Sequence, residues 1–181
     1  MAKIPDAQLT HVGIYVQDLK KMKEFYCAHL GMIVSDEGSM NGRALAFLSR
    51  SENEHHQIVM IYDPGHLPGV SSLGQISFRL KDLEALRSYY LLLKSLNISG
   101  LEGRNHGNSW SFYFMDPEDN KIEVYVPSHW HVAQPWRAPL DLTKSVLEIE
   151  QETQELIQSL KDYQPADDWR EQMKERLKEV V

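Results

Sequence analysis

An internal repeat constrains the fold of this chain more than any other feature of its sequence. Residues 11–35 align with residues 75–99 without a gap. In both copies, a short strand of alternating apolar residues leads into an Asp-Leu step, an amphipathic helical stretch and a second strand. Identical aligned positions include Asp18 with Asp82, Leu19 with Leu83, Tyr26 with Tyr90 and Ser35 with Ser99. The repeat therefore predicts two similar modules.

Each module is predicted to have the order βαβββ, which gives an α+β fold. The first module runs from about residue 7 to 63, and the second from about residue 73 to 127. Helices are expected over 19–30 and 83–97, with Asp18 as the N-cap of the first and Gly31 at its end. Strands are expected at 11–16, 31–36, 43–49, 55–62, 74–80, 100–104, 109–116 and 120–126.

A C-terminal segment follows the two modules. Residues 128–141 are irregular and interrupted by prolines, and we assign them with the modules to one domain over residues 1–141. Residues 142–181 are expected to form a helical extension that is too short to fold alone. Its apolar stripe fits either packing on the protein's own sheet or self-association as a homo-oligomer. The stripe comprises Leu142, Val146, Leu147, Ile149, Leu156, Ile157, Leu160, Trp169, Met173, Leu177 and Val180.

The composition excludes several classes of function. A net charge of −7 leaves no basic surplus to replace the counterions of a nucleic acid. The single cysteine, Cys27, excludes an intramolecular disulfide and a cysteine-rich zinc site. The N-terminus lacks the apolar stretch of a signal peptide, and no apolar run reaches the roughly 20 residues that cross a bilayer. We therefore expect a soluble cytoplasmic protein with neither a nucleic-acid nor a membrane partner.

Strand alternation places several polar residues on one face of the expected sheets. His11 points away from the apolar set of its strand, and Gln75 is its equivalent in the second module. Glu123, Tyr113 and His56 are expected to point away from their apolar neighbours in the same way. A solvated strand face explains each position taken singly. If the modules pair their sheets into a half-open barrel, an imidazole, an amide oxygen and a carboxylate would converge as a three-ligand metal site.

Several local motifs resemble those of one enzyme superfamily. They are Leu9-Thr10-His11-Val12-Gly13, Glu54-His55-His56-Gln57-Ile58, Asn105-His106-Gly107, the stretch from Phe112 to Glu123, and the stretch from Trp130 to Leu142. Over about residues 8–142 the chain resembles the vicinal oxygen chelate superfamily, which contains glyoxalases, bleomycin resistance proteins and extradiol dioxygenases. Within it, the chain is most similar to the ring-cleaving extradiol catechol dioxygenases.

This resemblance implies roles for individual residues. His11, Gln75 and Glu123 match the metal ligands, with Fe(II) the expected ion and Mn(II) or another divalent metal as alternatives. His56 matches the acid–base histidine, and His106 and Tyr113 match the residues that hydrogen-bond the substrate hydroxyls. The reaction that the resemblance implies is the opening of a catechol-type aromatic diol by O2. The substrate pocket is expected to include Trp110, Tyr125, Trp130 and His131.

Position 75 departs from the extradiol pattern, which has a second iron-binding histidine where this chain has Gln75. Glutamine offers a neutral oxygen donor in place of a neutral nitrogen, so the formal charge of the site is unchanged. Because the amide oxygen is the harder and weaker donor, the affinity for Fe(II) or Mn(II) is expected to be lower. Some glyoxalase relatives also use glutamine as a ligand.

Two other functions remain open at the level of sequence. One is a metal-dependent lyase or isomerase of the glyoxalase type, which would not consume oxygen. Glyoxalases take a carboxylate ligand from the fourth strand of a module, whereas residues 57–61 of this chain carry no acidic residue. The other is a metal-free protein of the same fold that binds an aromatic ligand, which metal stoichiometry would distinguish.

Overall fold

The structure, a computed structural model, describes residues 8–70 and 72–178. Residue 7, the predicted start of the first module, and Val180, the last predicted apolar position of the tail, lie outside these ranges. The chain forms two compact units. The described part of the N-terminal unit comprises residues 8–70, 72–76 and 115–121, and that of the C-terminal unit comprises residues 77–114 and 122–178.

Both repeats have the predicted order of elements. The first contains β1 (Val12–Val16), α1 (Leu19–Leu30), β2 (Ile33–Met40), β3 (Arg43–Ser49) and β4 (Ile58–Tyr62). The second contains β5 (Ile76–Arg79), α2 (Leu83–Ser95), β6 (Glu102–Asn105), β7 (Ser109–Met115) and β8 (Lys121–Pro127). After them come β9 (Trp130–His131), β10 (Ala138–Pro139), α3 (Val146–Ile157), β11 (Gln164–Pro165) and α4 (Ala166–Lys178).

The strands pair within their own modules. The first sheet has the order β1-β4-β3-β2, in which β1 pairs with β4 in parallel and the other pairs are antiparallel. The second has the order β10-β6-β7-β8-β5, and β9 pairs with β11 in a separate small ribbon. The α+β class, the two βαβββ modules and the C-terminal helical extension are therefore confirmed. The half-open barrel around a metal remains a prediction.

The Asp-Leu step begins both repeat helices in the same way. The Asp18 side chain accepts a hydrogen bond from the Lys21 N–H in α1, and Asp82 accepts one from the Ala85 N–H in α2. These contacts satisfy amides of the first turn that have no partner within the helix. Gly31 ends α1 in the left-handed region, with a φ of 63°. The N-cap and the C-terminal end of the first helix were thus both readable from the sequence.

The turn between β7 and β8 also forms hydrogen bonds with residues in and just before α1. Its residue Glu118 is buried, and the carboxylate accepts the backbone N–H groups of Gln17 and Asp18 at 2.9 and 2.7 Å. Asp116 is also buried and accepts the hydroxyl of Tyr26 at 3.0 Å. This turn therefore packs as part of the N-terminal unit and fixes the junction between β1 and α1.

The first tail helix packs on the second module's sheet. Thr153 of α3 is fully buried, and its hydroxyl accepts hydrogen bonds from the indole of Trp110 and the amide of Asn105, both at 2.8 Å. The same hydroxyl donates to the Ile149 carbonyl at 2.7 Å. Of the two sequence-based alternatives, packing on the protein's own sheet is therefore confirmed for α3. Within the described ranges, no helix is long and apolar enough to cross a membrane.

Candidate metal and substrate site

Tyr113 and Glu123 form the centre of a polar cluster in the C-terminal unit. They lie on the neighbouring strands β7 and β8, and the Tyr113 hydroxyl donates to Oε1 of Glu123 at 2.6 Å. The alternate residues of both strands are buried, so these two side chains share the opposite face. The buried residues are Trp110, Phe112 and Phe114 in β7 and Ile122, Val124 and Val126 in β8.

His106 extends this cluster by one further contact. Its Nε2 lies 3.0 Å from the Tyr113 hydroxyl, and its Nδ1 lies 3.3 Å from the carbonyl of Trp136. The single hydroxyl proton of Tyr113 is donated to Glu123, and the role of His106 in its contact with Tyr113 depends on the imidazole tautomer. The three side chains therefore form a hydrogen-bonded series in the order His106, Tyr113, Glu123.

Gly107 explains why a glycine follows His106 in the His-Gly motif. Its φ of 75° lies in the left-handed region, which a side chain strains. A β-carbon there would also lie 2.5 Å from a methyl group of Val132. The close approach of Val132 and the turn at Gly107 set the direction in which the chain leaves His106.

A second hydroxyl contacts the carboxylate of Glu123. Ser77 of β5 donates to Oε2 at 2.6 Å, while Tyr113 occupies Oε1. Glu123 is only 9% exposed, and both of these donors are neutral hydroxyls. Burial, and after it the hydrogen bond to Glu123, raises the pKa of Tyr113 well above its usual value. Tyr113 is therefore a neutral hydroxyl at physiological pH.

The sequence analysis did not single out Ser77. A signal was nevertheless present, because Ile76, Phe78 and Leu80 form the apolar set of this strand and Ser77 alternates with them, on the side expected for Gln75. A serine on a polar strand face is common, however, and only the contact with Glu123 gives it a specific place. Gln75 itself is exposed and immediately precedes β5, just as His11 immediately precedes β1.

Histidines form a second polar cluster, in the N-terminal unit. The rings of His11 and His56 meet edge to face, with centroids 4.6 Å apart, and His56 also packs on Phe47 at 5.1 Å. The hydroxyl of Thr10 lies 3.0 Å from Nδ1 of His11, which leaves Nε2 as the nitrogen that can face a ligand. Burial, followed by the rings of His11 and His55, lowers the pKa of His56. A neutral His56 can accept a proton at neutral pH.

Strand alternation predicts that the adjacent residues His55 and His56 point to opposite sides. In the structure their side chains lie next to each other. The predicted strand over 55–62 begins only at Ile58, so neither histidine belongs to β4. Their Nδ1 atoms lie 3.0 Å apart, and the ring centroids are 5.3 Å apart. Without strand geometry the alternation rule does not apply, and both rings pack beside Phe47. Strand alternation therefore does not describe the placement of His55.

The predicted pocket residues occupy different environments. Trp110 is 1% exposed, lies on the face of β7 opposite Tyr113 and donates to Thr153, so a pocket role does not fit its placement. Trp130 is half-buried and meets the Trp110 ring edge to face. His131 stacks on Trp169 of α4, with centroids 4.9 Å apart. Tyr125 is half-buried on β8, and the pocket roles of these last three residues remain predictions.

The donor chemistry of the predicted ligands fits a divalent metal. Across residues 8–70 and 72–178, no cluster of three or more histidine, cysteine, aspartate or glutamate side chains is arranged to hold a metal ion. The predicted set needs only two such residues, His11 and Glu123, because its third member is the amide of Gln75. An imidazole nitrogen, an amide oxygen and a carboxylate oxygen are donors that suit Fe(II) or Mn(II).

Comparison with known proteins gives a consistent assignment. Residues 8–124 match the family model of the glyoxalase/bleomycin resistance protein/dioxygenase superfamily. The chain is 28% identical over 123 residues to biphenyl-2,3-diol 1,2-dioxygenase 2 of Rhodococcus globerulus. That match covers 66% of this chain and 62% of the relative, so the chain spans less than two thirds of the relative's length.

Two solved structures show the same fold. The glyoxylase/bleomycin resistance protein/dioxygenase domain from Frankia sp. EAN1pec superimposes with a TM-score of 0.59 at 17% identity, over 70% of this chain and 96% of the domain. The fosfomycin resistance protein FosX from Listeria monocytogenes, complexed with Mn(II) and sulfate, gives a TM-score of 0.52 at 18% identity, over 68% and 95%. Since the family model covers well over half of the chain, the protein belongs to the glyoxalase/bleomycin resistance protein/dioxygenase superfamily.

Proposed function

We propose that the protein is a metal-dependent extradiol dioxygenase, which opens the ring of a catechol-type aromatic diol with O2. The observation that carries this proposal is the hydrogen-bonded series from His106 through Tyr113 to Glu123. It combines a buried carboxylate with two groups that donate hydrogen bonds to oxygen. The similarity to a biphenyl-2,3-diol dioxygenase supports the same reaction class. So does the lack of an acidic residue in β4, where a glyoxalase would supply a ligand.

We assign the metal ligands to His11, Gln75 and Glu123, with Fe(II) as the preferred ion and Mn(II) as the alternative. When bound, the metal gathers the diol and dioxygen and passes electron density between them. This ligand set leaves coordination positions for both reactants. It rests on the resemblance of these positions to the ligands of extradiol enzymes and on their donor chemistry.

The remaining polar residues handle protons and charge. His56, kept neutral by its lowered pKa, accepts a proton from a diol hydroxyl and later returns it to the product. The hydroxyl of Tyr113 and the imidazole of His106 would hydrogen-bond the substrate oxygens on which negative charge develops. Because the raised pKa of Tyr113 keeps its proton in place, it donates without being consumed.

Oxygen consumption tests the proposal. The protein is loaded anaerobically with Fe(II) and then mixed with aerated buffer and a panel of monocyclic and bicyclic catechols, including biphenyl-2,3-diol. We expect one molecule of O2 to be consumed for each molecule of diol lost. A para-diol should cause no oxygen uptake, because its two hydroxyls cannot bind the same metal ion. Iron-loaded protein that consumes no oxygen would indicate a lyase or isomerase. Protein that holds no metal would indicate a binding protein.

We also propose that the protein self-associates through α4. Trp169, Met173 and Leu177 are spaced four residues apart, so they lie on one side of the helix, and Trp169 and Leu177 are 37% and 54% exposed. The stripe is symmetric about Met173, so an antiparallel copy of α4 would match it. In that pairing the acidic start of one helix meets the basic end of the other. The charged residues are Asp167, Asp168, Arg176 and Lys178.

A further inference from the structure

The carboxylate of Glu123 is held at both oxygens, and only one of its two partners belongs to the reaction described above. Tyr113 donates to Oε1 and Ser77 donates to Oε2, each at 2.6 Å. The two hydroxyls come from different strands, β7 and β5, on either side of β8.

We propose that Ser77 is a positioning residue for the metal site, an inference that rests on the proposed function. Its hydrogen bond fixes the rotation of the Glu123 carboxylate, which Tyr113 alone would leave able to turn about its terminal bond. A ligand that is already held in its binding orientation loses less conformational freedom when the metal binds. Partners of this kind commonly contribute about 10- to 100-fold to metal affinity.

The location of Ser77 in the chain adds to this role. It lies two residues after Gln75, at the start of the strand that neighbours β8. Its hydrogen bond therefore ties the segment that follows one proposed ligand to the side chain of another. Since the amide oxygen of Gln75 is a weaker donor than an imidazole, the placement of the carboxylate matters more for affinity here.

Substitutions at Ser77 separate this role from a general contribution to the sheet. Ser77 is exposed, so a larger side chain meets no packed core. Ser77→Thr keeps the hydroxyl, whereas Ser77→Val has the same branched shape without it, and both residues suit a strand. The difference between the two variants therefore reports the hydroxyl alone. Should Ser77→Ala fail to fold, this matched pair still decides the question.

The measurement is the dissociation constant for Fe(II), determined anaerobically with a competing chelator, together with urea unfolding of the metal-free protein. We expect Ser77→Val to bind Fe(II) about 10- to 100-fold more weakly than Ser77→Thr, with equal unfolding midpoints. Ser88→Ala is the control, because Ser88 also donates to a carboxylate, that of Glu84, but on the exposed face of α2. Its affinity should match that of the wild type.

Three other outcomes would each contradict a different part of the proposal. Equal Fe(II) affinity in Ser77→Thr and Ser77→Val would show that the hydroxyl does not position Glu123. A lower unfolding midpoint of Ser77→Val with unchanged affinity would assign Ser77 a purely structural role. Wild-type protein that binds no divalent metal would overturn the proposed function itself, and the role of Ser77 with it.

Discussion

Tyr113 contacts both His106 and Glu123 in the polar cluster of the C-terminal unit. It contacts Nε2 of His106 and donates its own proton to Glu123, so it links an imidazole to a buried carboxylate. A phenylalanine at this position would fill the same space without either contact. The Tyr113 hydroxyl therefore helps to orient Glu123, and we propose that it also hydrogen-bonds the substrate.

Replacement of Tyr113 by phenylalanine should lower the turnover number by about 10²-fold at saturating Fe(II), which is the loss typical of one missing hydrogen-bond donor in a site that stabilises negative charge. Steady-state oxygen uptake measures it. Tyr15→Phe is the matched control, because Tyr15 is 50% exposed on β1, and its turnover should stay at the wild-type value. An unchanged turnover number in Tyr113→Phe would exclude the assigned role.

Alternation along strands was sufficient to predict some site residues and not others. It correctly placed Tyr113 and Glu123 on one face, because both lie within regular strands with buried neighbours. It failed for His55, which precedes β4 and packs against His56. It also gave no reason to choose Ser77, since a pattern identifies the face of a residue but not its partner on another strand.

At the scale of elements, the repeat predicted both helices and the order of all strands in the modules. The ends of elements were less well determined. The second helix ends at Ser95 instead of residue 97, where Asn97 adopts a left-handed φ of 56°. The turn over residues 116–120 was recognised as a turn, but its burial beneath α1 depends on contacts about 100 residues apart in the chain. No local pattern contains such information.

The helix α4 leads to a prediction about self-association. Leu177→Glu places a charge at one end of the proposed apolar contact, which should dissociate an antiparallel pair. Light scattering over a concentration series should give a dimer mass for the wild type and a monomer mass for Leu177→Glu. Leu147→Glu is the control, because Leu147 is 63% exposed on α3 and does not belong to the proposed contact on α4, and the mass of this variant should equal that of the wild type. A monomeric wild type would refute the proposal.

At the scale of the whole molecule, the proposed metal ligands are divided between the two units. His11 packs with His56 in the N-terminal unit, whereas Glu123 lies with Tyr113 and Ser77 in the C-terminal unit. Gln75 also belongs to the N-terminal unit, and both His11 and Gln75 immediately precede the first strand of a module.

A double-mutant cycle of Fe(II) binding is the most direct test of whether His11 and Glu123 bind the same metal ion. Fe(II) stoichiometry and affinity are measured for the wild type, His11→Ala, Glu123→Ala and the double variant, with His129→Ala as a control whose side chain is 69% exposed. We predict one Fe(II) per wild-type chain, a large loss of affinity in either single variant and a strongly non-additive double variant. A Glu123→Ala protein with wild-type stoichiometry and affinity would contradict the account.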